Sequence, residues 1–279
     1  MKHRGVLIIV GFVFAIAWLL VIVGPGLTVG HNFNENNNWS RYEKNKKVII
    51  GLDDTFVPMG FRNKQGQIVG YDIDLAKAVF KQYGITPVFQ PIDWSMKETE
   101  LRNGTIDMIW NGYSMTPARK KIVAFSAPYL ANGQVLVTLK KNHINSFTDM
   151  RGKVLGVQSS SSGQSALDEH PKVLKNLIAN KQPVIYDTFM NAINDLKAGR
   201  IQGVLIDRVY AGYYVANEPN PNMYHVVAGD FPGDQFAVGM RKSDTTLQTK
   251  VNQAFAKMQQ DGQLAQITRK WFGTNPTTK

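Results

Sequence analysis

The chain has 279 residues, of which 43% are hydrophobic and 19% charged, and its formal net charge is +11. That length and balance describe a globular protein with ample chain for a core, and exclude a disordered one. Cysteine is absent, which excludes disulfides, thiolate metal sites, a cysteine nucleophile and a lipid anchor on an N-terminal Cys.

The basic residues are scattered, with short runs at Lys46-Lys47, Arg119-Lys120-Lys121 and Lys140-Lys141. No basic helix or zinc-finger spacing accompanies them. The charge therefore reads as a surface facing a membrane or cell wall, and not as a nucleic-acid footprint.

Lys2, His3 and Arg4 precede an uncharged apolar run from Gly5 to Val23. The run is long enough to cross a bilayer, and its positive flank predicts that the remainder is exported. Residues 1–30 are expected to form a signal or anchor helix. Gly24-Pro25-Gly26 ends it, and no A-x-A cleavage site follows, which favours a retained anchor; cleavage would release the protein. Residues 31–47 read as a polar, Asn-rich tether without periodicity.

From Val48 onward, short apolar runs alternate with amphipathic stretches. Val48–Leu52 reads as a buried strand. Asp72–Tyr83 carries apolar residues at helical spacing, Ile73, Leu75, Ala76, Val79 and Phe80, and Gly84 ends it. Thr86–Pro91 and Ile106–Trp110 read as further strands, with a helix closing at Leu101-Arg102-Asn103-Gly104. This βαβ rhythm implies a mostly parallel sheet flanked by helices. It then repeats. Lys153-Val154-Leu155-Gly156-Val157 resembles Lys47-Val48-Ile49-Ile50-Gly51, and Leu196–Gln202 resembles Leu101–Asp107, so the chain reads as two similar α/β lobes.

Two such lobes place the carboxyl ends of their strands around a cleft, where ligands bind. The residues there are Asp53, Phe56, Trp94, Asn111, Gly112, Tyr113, Ser114, Gln158, Ser161, Ser162 and Asp207, with Arg119 nearby. They suit an amino acid zwitterion. An Arg fork with hydroxyls and backbone N–H groups fits a carboxylate, an Asp fits an ammonium, and aromatic rings fit a side chain. His3, His31, His143, His170 and His225 are isolated, so neither a metal cluster nor a Ser/His/Asp order is present. No catalytic residue and no cofactor is expected.

Four segments then carry a resemblance: Gly51–Pro58, Val69–Ala76, Asn111–Lys121 and Phe125–Tyr129. With the terminal Lys270-Trp271-Phe272-Gly273, they resemble the polar amino acid-binding proteins of ABC importers, bacterial solute-binding protein family 3. The resemblance implies a two-lobed periplasmic-binding-protein-like fold with two crossover strands, residues 48–133 and 237–279 forming the first lobe and 134–236 the second. It implies that Arg119, beside Ser114 and Gly112, clamps the ligand's α-carboxylate with Ser161 and Ser162 from the second lobe. Asp207 would take the α-ammonium, and Asp53, Phe56 and Trp94 would surround the amino group and side chain.

Three positions depart from the family's pattern. Ser160-Ser161 stands where Gly-Thr is frequent, Met59-Gly60 follows Pro58 in place of an aromatic and Glu, and Glu98, expected to face solvent, replaces an apolar residue. The implied function is delivery of a free polar amino acid, as a monomer on the extracytoplasmic face, to an ABC permease. Glutamine, cystine and a cationic amino acid all fit the implied pocket. A fold-related enzyme of the cyclic-acid dehydratase type, or a sensor module with a separate partner, is the alternative.

Overall fold

The computed structural model describes residues 38–273. The expected anchor at residues 1–30 and the first part of the expected tether lie outside the described residues.

Lys47–Leu52 is a strand because Val48, Ile50 and Leu52 bury completely on one face. It is second from the edge of a five-stranded sheet, pairing in parallel with Thr86–Pro91 on one side and Met108–Ile109 on the other. Gly239–Met240 then pairs antiparallel with Met108–Ile109 and with Ala124–Phe125. The second five-stranded sheet has the same plan. Leu155–Gln158 pairs in parallel with Val184–Tyr186 and Gly203–Asp207, and Gln134–Leu139 joins antiparallel between Gly203–Asp207 and Tyr224–Ala228. Each sheet thus has four strands running one way and a single reversed strand, Gly239–Met240 in the first and Gln134–Leu139 in the second, and is flanked by helices. Two lobes result.

Between the sheets the chain passes twice. Leu130–Asn132 pairs antiparallel with Asp234–Phe236 in a two-stranded ribbon. The first of these runs on into Gln134–Leu139 of the second sheet, and the second returns to Gly239–Met240 of the first.

The helix Tyr71–Lys81 buries Ile73, Leu75, Ala76, Val79 and Phe80, as the spacing predicts. Asp72 and Asp74 in its first turn and Lys81 in its last complement the helix dipole.

The tether ends earlier than expected. Residues 39–45 form a helix, Trp39–Asn45, with Trp39 and Tyr42 buried. Spacing of three puts both rings on one face, where Trp39 meets Tyr83 edge-on at 5.2 Å. The polar side is pinned as well. Asn38 donates its N–H and Nδ2 to Asp244 Oδ1 at 3.1 and 2.8 Å, Arg41 pairs with Asp107, and Tyr42 donates to Asp107 Oδ1 at 3.2 Å. Asn38, Arg41 and Tyr42 thus find partners far along the chain, while Glu43, Lys44, Lys46 and Lys47 stay exposed.

Candidate functional site

The parallel strands of both sheets deliver the candidate residues. Asp53 follows Lys47–Leu52, Trp94 follows Thr86–Pro91, Asn111 and Gly112 follow Met108–Ile109, and Gln158 and Asp207 are the last residues of their own strands. Ten of the twelve candidates line one small pocket: Asp53, Phe56, Trp94, Asn111, Gly112, Arg119, Gln158, Ser161, Ser162 and Asp207. Tyr113 and Ser114 stand immediately behind it.

Arg119 lies in the short helix Pro117–Lys120, whose cap Thr116 accepts from its N–H. Its Nη1 donates to the Ser114 carbonyl and its Nη2 to the Ser160 carbonyl, each at 3.1 Å. Each terminal nitrogen carries a second N–H, so the fork retains donors for a carboxylate. The guanidinium stacks over Tyr113 at 4.4 Å. Tyr113 is thus a support for Arg119, itself stacked on Phe125 at 5.3 Å.

Ser161 caps the helix Ser162–Glu169, its hydroxyl accepting from the Gln164 N–H. The helix therefore starts at the pocket wall, which Ser161 and Ser162 both line, and a helix start favours an anion. Ser114 donates its hydroxyl to Ser162 Oγ across the two lobes at 3.1 Å, and Ser162 in turn lies 3.4 Å from Asp207 Oδ1. Ser160, before the cap, adopts φ +53. That left-handed backbone is easiest for glycine, which explains the frequent Gly of the resemblance and shows that Ser is accommodated here at some strain.

Asp207 accepts from Asn132 Nδ2 at 2.5 Å and Gln134 Nε2 at 2.8 Å. Burial, and secondly the neighbouring Asp234, push its carboxyl above the usual range. Asp53 accepts from the Thr55 N–H and hydroxyl at 2.9 and 2.6 Å and, across the lobes, from Gln158 at 2.8 Å. Burial raises it too. Asn111 accepts from the Asp53 N–H at 3.2 Å, while its Nδ2 is buried without a hydrogen-bond partner. Phe56 packs between Phe189 at 5.7 Å and Tyr210 at 5.4 Å, both from the second lobe.

Several supporting residues gave no local signal. Asp72 is buried inside the first lobe and accepts from the Gly112 N–H at 2.7 Å and the Tyr129 hydroxyl at 2.9 Å, fixing the loop that carries Gly112. Its carboxyl is pushed up to about 7 by burial. Asn132 and Gln134 sit on the first passage between the lobes, which hydrophobic spacing does not mark. Glu98 corrects an expectation. It does not simply face solvent: it accepts from the Tyr113 hydroxyl at 2.9 Å and lies 3.7 Å from Arg119 Nε and 3.3 Å from Lys97 Nζ. The two buried cations beside it account for that orientation. Among the described residues, no group of three or more His, Cys, Asp or Glu is placed to hold a metal ion.

Residues 48–274 match the family model of the bacterial extracellular solute-binding proteins, family 3. A crystal structure of an ABC uptake transporter substrate binding protein from Streptococcus pneumoniae with bound histidine is 53% identical. It covers 87% of this chain and 99% of that one, with a TM-score of 0.86. The ABC transporter arginine-binding protein 1 of Escherichia coli (strain K12) is 30% identical, over 81% of this chain and 91% of the relative. The L-cystine-binding protein TcyJ of the same organism is 27% identical, over 93% and 94% respectively. With the match running through both sheets and every candidate site residue, the chain belongs to the bacterial extracellular solute-binding proteins, family 3.

Proposed function

We propose that the protein is an extracytoplasmic receptor that traps a polar amino acid between its lobes and passes it to an ABC permease. In this reading the lobes are residues 48–133 with 237–279, and residues 134–236. The observation that carries it is one pocket lined by both a buried guanidinium and a buried carboxylate, Arg119 and Asp207, contributed by different lobes. Arg119 and the N–H groups at Ser161 and Ser162 bind the α-carboxylate, with Ser114 bracing Ser162. Asp207, oriented by Asn132 and Gln134, binds the α-ammonium. The side chain lies toward Phe56 and Trp94, with Asp53, Gln158 and Asn111 as its polar partners.

The lining also favours one side-chain class. Asp53 and Asp207 against Arg119 leave one negative charge in the cavity. A zwitterion adds none, and a cationic amino acid restores neutrality. Arginine, and histidine when its imidazole is protonated, are therefore the first candidates on charge, ahead of glutamine and cystine, although relatives are named for arginine, histidine and cystine alike. The lobes carry the ligand without altering it, acting as a monomer. Anchoring through the segment Gly5–Val23 would hold the receptor beside its permease.

A thermal-shift series with the twenty amino acids tests the reading. A ligand at a hundred times its dissociation constant stabilises by about 2.7 kcal/mol. The absence of any shift with every amino acid would sink the proposal. A shift with glutamine exceeding those with histidine and arginine would overturn the charge argument.

A further inference from the structure

Behind the cavity, a lysine bridges the two lobes. Lys97 opens the helix Lys97–Asn103 of the first lobe and is 1% exposed. Its Nζ donates to the Trp94 carbonyl at 3.0 Å and, across the cleft, to the Ser160 carbonyl at 3.0 Å. That same carbonyl accepts from Arg119 Nη2 at 3.1 Å. Two first-lobe cations therefore converge on one second-lobe oxygen. Glu98 is the carboxylate in ion-pair range of both, so at contact distance the cluster holds two positive charges against one negative, while Asp207 and Asp234 act on Arg119 from farther off.

Like charges crowded in a poorly solvated place oppose the state that crowds them. Burial first, and then the Arg119 charge, pushes the Lys97 ammonium down to about 8, against the opposing pull of Glu98 and the more distant Asp93. Separating the lobes removes Ser160 from both cations and lets water return. A carboxylate on Arg119 relieves the same crowding while the cleft stays closed.

Resting on the amino acid reading above, we propose that Lys97 makes closure of the cleft conditional on an anion at Arg119. Its charge resists closing of the empty protein. Once a carboxylate neutralises Arg119, its hydrogen bond to Ser160 helps hold the lobes together. Lys97 does not line the cavity, so it is a positioning residue and not a ligand contact.

The chain has no cysteine, so spin labels can be attached through single cysteines replacing the exposed Lys64 and Lys172, one in each lobe. Their distance distribution gives the closed-to-open ratio of the full chain. Without ligand, Lys97→Met and Lys97→Gln are both expected to raise that ratio by about tenfold or more, the order set by a like charge at contact distance. The Gln variant keeps a donor for Ser160 and loses only the charge. A ratio unchanged within about twofold in both variants overturns the proposal, and so does a rise with Met alone, because Gln removes the same charge. L-histidine should close the wild type while L-histidinamide, which lacks the carboxylate, should not; equal closure by both would also overturn it. If no amino acid closes the wild type yet both variants raise the empty closed ratio, the ligand reading falls and the role of Lys97 stands.

Discussion

Gly112 ties the stability of the fold to the shape of the cavity, and adding a single methyl group there separates two costs. Its φ is +57, and a Cβ built on it meets Phe56 Cε1 at 2.6 Å and the Phe236 ring at 3.2 Å. A non-glycine residue in the left-handed region costs about 1–2 kcal/mol. Overpacking adds about 1–3 kcal/mol when the neighbours cannot retreat. Phe56 has little room to do so, with Phe189, Tyr210 and Phe236 around it at 5.7, 5.4 and 6.5 Å. Gly112→Ala is therefore expected to destabilise by about 2–5 kcal/mol, a fall in Tm of roughly 5–20 °C for a domain of this size.

Since Phe56 is a wall of the cavity, ligand affinity should also fall, by about tenfold or more. Gly66→Ala is the control. Its φ is +76 with nothing within 4 Å of the added Cβ, so it carries the backbone cost alone, about 1 kcal/mol. Denaturant melts and calorimetric titration of both variants provide the comparison. Equal losses in the two, or unaltered affinity in Gly112→Ala, would refute the argument that Phe56 is held in place by packing from both lobes.

Arg119→Met should weaken ligand binding at least about a hundredfold in calorimetric titration, because two charge-assisted hydrogen bonds to a carboxylate are removed; affinity within threefold of wild type would show that another group holds the carboxylate. Asp72, with its folded pKa raised to about 7, makes the native state take up a proton more readily than the unfolded one. Its ionisation therefore destabilises the protein above pH 7, and that loss is recovered as pH falls from about 7 toward 4. Asp72→Asn should be more stable than wild type at pH 8, by an amount on the order of a few kcal/mol, and the advantage should fade by pH 5; a pH-independent difference contradicts the assignment. Asp207 is also raised, but it must be ionised to bind an ammonium, so ligand affinity should decline as pH drops through its folded pKa. A flat affinity profile between pH 8 and pH 5 would exclude Asp207 from that role.

Much of the fold was readable because it is local. The helix Tyr71–Lys81 announces itself through apolar residues at helical spacing, and Lys47–Leu52 and Gly203–Asp207 through unbroken apolar runs. The candidate site followed from a general rule, that ligands meet the carboxyl ends of parallel strands, and ten of its twelve candidates line one cavity. Family membership rests on runs of neighbouring residues such as Asn111–Lys121, which need no tertiary knowledge to recognise.

Contacts between distant residues left no such trace. Asn38 meets Asp244, and Tyr42 meets Asp107 and Arg241, so a segment that locally resembles a solvated tether becomes a docked helix. Glu98 and Lys97 are neighbours on a polar-looking helix start, and nothing in their spacing shows that they face a buried arginine and the carbonyl of another lobe. Asn132 orients Asp207 from a strand whose neighbour arrives about a hundred residues later, at Asp234–Phe236, and Gln134 from the next strand, directly opposite Asp207 in the second sheet. Secondary structure and strand-end chemistry depend on the order of residues within a few turns, and the sequence by itself determined them. The support of Arg119, the orientation of Asp207 and the docking of Trp39–Asn45 depend on charges and hydrogen bonds closed across the chain, and only the tertiary structure decided those.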